Sequence, residues 1–191
     1  MTHDSIVTIE DRKGEKFLRQ KPVPFMLSAK SAWAHEGKAL SRAEVSKLLQ
    51  HMKKIMRGAN GVGLSANQIG FTYRLFVAQV PSDQGESKFY AVFNPEIEKM
   101  DSESETTEEG CLSVPGIYGA MPRAKRVVLR GWDKNGKPLK IKAWGLLARV
   151  FQHEVDHLNG KLFIDKAKHL ERMSESERLK SKHNKLITDN K

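Results

Sequence analysis

Apolar positions along the chain fall into blocks of different period. Val45, Leu48, Leu49, Met52, Ile55 and Met56 recur at helical spacing. They follow Ser41-Arg42-Ala43-Glu44, a capping-box pattern, so a helix is predicted to open there and to end at Ala59-Asn60-Gly61. Arg74–Val80 and Phe89–Phe93 read as strands separated by a polar loop. Glu96–Glu108 is acidic and polar, a strand with a solvated turn around Asp101–Glu105. Arg126–Asp133 and Lys137–Trp144 flank Lys134-Asn135-Gly136, and Asn-Gly predicts a hairpin. Leu146, Val150, His153 and His157 mark a helical stripe over Gly145–Leu158. A polar helix is expected over Lys166–Lys185. Pro22 and Pro24 leave residues 1–40 irregular. No repeat or linker interrupts this pattern, so one α+β domain over residues 1–191 is expected, with a basic helix and tail over 166–191. Its antiparallel sheets should pack around the Gly145–Leu158 helix, with further helices toward the N- and C-termini.

At 191 residues, 39% of them hydrophobic, the chain is long enough for a core that needs no staples. No apolar run approaches the roughly 18 residues of a membrane span, which argues against membrane partners. Met1-Thr2-His3-Asp4-Ser5 lacks a secretory pattern, and the single cysteine, Cys111, suits a reducing compartment; both point to the cytoplasm. Cys111 is then an inert buried side chain, a nucleophile or a metal ligand. A formal net charge of +10 attracts polyanions without saying which.

The candidate chemistry lies in Gln152-His153-Glu154-Val155-Asp156-His157. Histidines four apart on a helix project from one face and can share one ion. Glu154, about 100° round the helix from His153, stands where a general base belongs. A catalytic metal needs a third protein ligand. Zinc proteases with a third histidine would place it at position 163, which is Phe163. Glu171 and Glu175 lack supporting context. Cys111, in Glu109-Gly110-Cys111-Leu112-Ser113, is the better candidate, since a thiolate suits a borderline-soft ion. Gly61-Val62-Gly63-Leu64-Ser65-Ala66-Asn67-Gln68 lacks the lysine of a phosphate-binding loop; its small residues permit close backbone approach, and Gln68 offers an amide donor.

Together, in this order, the three segments resemble peptide deformylase, whose pattern is Gly-x-Gly-x-Ala-Ala-x-Gln, Glu-Gly-Cys-x-Ser and Gln-His-Glu-x-Asp-His. The only departure within these motifs is Ser65, in place of the usual first alanine. The resemblance covers roughly Lys47–Leu170. It implies removal of the formyl group from the N-terminal formyl-methionine of nascent chains, with formate released. It implies one divalent metal on Cys111, His153 and His157, natively iron(II), with zinc, nickel or cobalt as substitutes. Glu154 would move the proton, while the Gln68 amide and the Leu112 N–H stabilise the oxyanion. Val62, Gly63, Leu146, Arg149 and Val150 would hold the substrate. Arg149 sits one turn before His153 on the same face, so its stem is expected to line the pocket while its head reaches solvent. Asp156 would pair with Arg123 and orient the ligands. The basic C-terminal region would dock on the ribosome; no DNA partner is implied. Tyr118 stands where some members carry a peptide-holding arginine, and Pro24–Leu40 does not match the family pattern. A metallopeptidase and a basic RNA- or ribosome-binding module with a non-catalytic metal are the competing readings.

Overall fold

The computed structural model describes residues 4–26, 33–81, 87–174 and 177. Among the described residues the main elements follow in the order α1 (Arg12–Leu18), β1 (Trp33–His35), β2 (Lys38–Leu40), α2 (Arg42–Gly58), β3 (Gly63–Ser65), β4 (Leu75–Pro81), β5 (Ser87–Met100), β6 (Ser104–Cys111), β7 (Val114–Ala124), β8 (Arg126–Trp132), β9 (Pro138–Trp144), α3 (Gly145–His157) and β10 (Lys168–Arg172). A short 3-10 turn, Ala66–Ile69, follows β3. All ladders are antiparallel: a five-stranded sheet in the order β3-β4-β5-β8-β9, a three-stranded sheet in the order β10-β7-β6, and the hairpin β1-β2. The arrangement is the expected α+β class, with α3 between the sheets.

Local chemistry accounts for the helix ends. The Ser41 hydroxyl accepts from the Glu44 N–H, and the Glu44 carboxylate accepts from the Ser41 N–H, completing the capping box of α2. Val45, Leu49, Met52 and Met56 then form its buried stripe against Leu64, Leu75 and Phe93. Asn60, with φ of 55°, turns the chain out of the helix. Helix α3 packs Ala148, Phe151 and Val155 on Phe76, Leu129 and Ala143 of the five-stranded sheet. Its C-terminal end is covered by Arg74, whose guanidinium donates to the Leu158 carbonyl (2.6 Å) and to Asn159 Oδ1 (3.1 Å).

Two sequence expectations change. Residues 1–40 are not all irregular: the Asp11 carboxylate accepts from the Gly14 N–H at 2.8 Å and caps α1. β1 and β2 form a hairpin through Glu36 and Gly37, both at positive φ. The expected Lys166–Lys185 helix begins instead as strand β10, because β7 offers it an open edge at Ile117, Tyr118 and Ala120; residues 175–176 and 178–191 lie outside the described residues. β7 itself carries no expectation, since Pro115, Gly116, Gly119 and Pro122 read as breakers. It nonetheless pairs with β6 from Ala124 to Tyr118.

Candidate metal centre and pocket

Three strands and one helix end converge on a small cluster. β6 ends at Cys111, and Leu112-Ser113 turn the chain into β7. A Cβ on Gly110 would collide with the Tyr118 ring across that ladder, so only glycine fits beside the cysteine. α3 presents His153 and His157 from one face, with ring centroids 4.9 Å apart. Cys111 Sγ lies 3.1 Å from His157 Nε2, and one donor atom from each of Cys111, His153 and His157 lies within 4.8 Å of the others.

A thiolate and two imidazoles at that mutual distance fit one ion at the roughly 2.0–2.3 Å of metal–nitrogen and metal–sulfur bonds. The surrounding bonds leave the inward atoms available. Glu109 Oε2 is 3.2 Å from His153 Nδ1, which turns the other ring nitrogen toward Cys111. His157 Nδ1 is buried without a partner among the described residues. Burial, helped by the His153 charge, drives the His157 imidazole well below its ordinary range, so it is neutral.

Behind the histidines, Arg123 joins two elements. Its Nε and second terminal nitrogen donate to Glu109 at 2.8 and 2.9 Å, and its first terminal nitrogen to Asp156 Oδ2 at 2.5 Å. β6, β7 and α3 are thereby tied by one buried guanidinium. Burial works against ionisation of Glu109, but hydrogen bonds from His153 and Arg123 and their charges prevail and hold its carboxyl at about 2.

On the other side of α3, Glu154 faces β3. Ser65 Oγ donates to Glu154 Oε2 at 2.5 Å, and a Cβ on Gly63 would overlap the same carboxylate. Burial pushes the Glu154 carboxyl up, opposed by the charge of His153 and the Ser65 hydrogen bond. The Ala66–Ile69 turn aims Gln68. Gln68 Oε1 accepts from the Ser65 N–H at 2.8 Å, so its amide nitrogen faces Ser113 Oγ (3.2 Å) and Cys111 Sγ (3.6 Å). Asn67 ties the turn to the helix by donating to the His157 carbonyl at 2.9 Å.

A cavity of about 500 Å³ opens in front of this cluster. Cys111, His153, Glu154 and Gln68 line it together with Val62, Gly63, Leu112, Leu146, Arg149 and Val150. His157, Asp156 and Arg123 stand behind it. The Arg149 head is not left to solvent: its Nη1 donates to Thr107 Oγ1 at 2.8 Å. The sequence motifs drew attention to neither the Ser65–Glu154 bond nor Glu109 as the partner of His153. Glu109 stands within the Glu-Gly-Cys string, two residues from Cys111, which was the available signal.

The polypeptide deformylase family model matches residues 22–173. The chain belongs to the polypeptide deformylase family. The peptide deformylase of Thermodesulfovibrio yellowstonii is 44% identical over 140 residues, 73% of this chain and 84% of that one. A peptide deformylase from Synechococcus elongatus, solved with actinonin, superposes with a TM-score of 0.71 at 32% identity, covering 86% of this chain and 80% of that one. A class I type b peptide deformylase from Acinetobacter baumannii, solved with Met-Ala-Ser bound, gives a TM-score of 0.69 at 30% identity, covering 84% and 96%. The family is one of metal-dependent hydrolases acting in protein biosynthesis, and the Cys111, His153 and His157 cluster is the chain's candidate metal site. Nothing in these matches favours a metallopeptidase or a non-catalytic binding module. Among the described residues no helix is long and apolar enough to cross a membrane.

Proposed function

We propose that the chain deformylates nascent N-formylmethionyl peptides at the Cys111 cluster, with iron(II) as the resident ion and zinc, nickel or cobalt as substitutes. The observation that carries the reading is the buried Glu154 carboxylate beside the converging donors of Cys111, His153 and His157. When bound, the ion would supply Lewis acidity at this point of the cavity. Glu154, its proton affinity raised by burial, takes the proton of the attacking water and delivers it to the leaving amine. The Gln68 amide, anchored through its own carbonyl to Ser65, turns its donors toward the oxygen that gains charge, and the Leu112 N–H is its second partner.

The substrate reading rests on shape. β3 is an edge strand of the five-stranded sheet, so the backbone at Gly63 can accept a peptide as an added strand. Val62, Leu146, Arg149 and Val150 receive the methionine side chain beside it. The Met-Ala-Ser bound to the Acinetobacter relative supports a short N-terminal peptide as ligand. The chain's basic charge supports work in the cytoplasm close to the ribosome, reached through the C-terminal region.

The test is formate release from formyl-Met-Ala-Ser by anaerobically prepared iron- or nickel-loaded protein, beside Glu154→Ala. Release that vanishes in the variant is expected. A folded, metal-loaded protein that releases no formate would overturn the reading.

A further inference from the structure

The five-stranded sheet has a second face that the active-site pocket does not use. Its inner face buries Val127, Leu129 and Ala143 against α3. On β8, β9 and the end of β5, which α2 does not cover, alternate positions point outward, and the register groups them in rows: Lys99, Val128 and Lys142; Arg126 and Trp144; Glu96, Arg130 and Lys140. Five of those eight side chains are cationic and one, Glu96, is acidic. Glu98 holds Arg130 and Lys140 at 3.1 and 3.0 Å. Among the described residues Lys99, Arg126 and Lys142 enter no ion pair. Trp144 is 62% exposed at the end of β9.

We propose that this outer face is a docking surface for single-stranded RNA. Cations two positions apart on β9 and four apart on β8, about 7 and about 14 Å along the strands and about 5 Å between them, form a grid that a phosphate backbone can follow. Charge alone would serve any polyanion. The exposed indole beside the cations distinguishes nucleic acid, because an unpaired base offers a ring to stack on it and a duplex does not. A lipid surface is a poorer fit, since among the described residues Trp144 is the only large apolar side chain strongly exposed at these outward positions. The proposal does not rest on the catalytic reading: no residue of the grid lines the Cys111 cavity. Trp144 contributes no side-chain cap to α3, so its replacement removes no helix-capping bond.

The experiment titrates the full chain with a single-stranded RNA oligonucleotide, reading tryptophan fluorescence at several salt concentrations. Trp33 is buried and Trp132 half-buried, so Trp144 is the ring open to quenching. Quenching is expected, with affinity falling as salt rises. Trp144→Ala should weaken binding, measured by anisotropy of labelled RNA, about tenfold. Arg126→Ser with Lys142→Ser should lower the salt slope by about 0.7 per cation removed. Formate release should be unchanged in both variants. RNA bound equally by all three proteins, through the basic tail for example, would overturn the proposal. So would equal affinity for heparin, or for anionic phosphatidylserine vesicles, with the same loss on Trp144→Ala.

Discussion

Ser65 Oγ donates a 2.5 Å hydrogen bond to Glu154 Oε2, so the residue that departs from the family's loop pattern is the one that holds the candidate base. Both side chains are buried, where a charge-assisted bond is strongest. Ser65→Ala removes this bond but restores the loop's usual alanine, so kcat is expected to change by less than about tenfold, at unchanged metal content. The Ser65 bond lowers the proton affinity of Glu154, so its removal raises it. The acid limb of the kcat/KM profile should accordingly move to higher pH. Steady-state kinetics on both proteins across pH decide the matter, and superimposable profiles would count against the assignment.

Gly63 leaves no room for a side chain against Glu154. The obstructing atoms are the far end of a flexible side chain, so Gly63→Ala should fold but displace the carboxylate. Turnover should drop by about 100-fold or more, while the unfolding free energy falls by about 1 kcal/mol or less. Formate release and urea unfolding measured together separate this from simple instability.

Arg123 holds Glu109 and Asp156 at once. Arg123→Ala leaves two carboxylates without their shared cation, and Glu109 then ceases to be a fixed acceptor for His153. Metal affinity should fall about 10- to 100-fold, and stability by about 3–5 kcal/mol. Competition with a chelator reports the first and chemical denaturation the second. An unchanged metal affinity would reduce the pair to a structural tie.

Glu109 sets an acid limit. Its carboxyl lies at about 2 in the fold against an ordinary value of 4.5. A depressed folded value means that its stabilisation is complete above about 4.5 and disappears as pH falls toward 2. Metal-free wild type should exceed Glu109→Gln in unfolding free energy by on the order of 2 kcal/mol at pH 7. The gap should close progressively between pH 4.5 and pH 2. Urea titrations at stepped pH would reveal a constant gap if the carboxylate's charge were irrelevant.

The sequence by itself determined what depends on near neighbours. The four-residue spacing of His153 and His157 is enough to put both imidazoles on one face, because helix pitch is a local property. The capping box at Ser41 and the apolar stripe behind it likewise specify α2 without reference to anything distant. The Asn135-Gly136 turn specifies the β8–β9 hairpin in the same way. The capped helix carries its own start signal and buried face, and the hairpin its own turn. The motif strings also named the metal candidates and Glu154, since residue type and spacing state the chemistry.

What only the tertiary structure decided are relations between segments far apart in the chain. Cys111 meets His157 across 46 positions, and Ser65 meets Glu154 across 89. No periodicity records such contacts; they exist because β6 and β3 flank opposite sides of α3. β7 shows the same limit: its prolines and glycines weaken any strand signal, yet ladders on both sides hold it extended. β10 is polar and fully exposed, without an apolar face of its own, so its conformation follows from the edge it joins. Arg149 makes the point for a single side chain. Its helical position was legible in the sequence, but its head rests on Thr107, which only the packing of β6 beside α3 could supply.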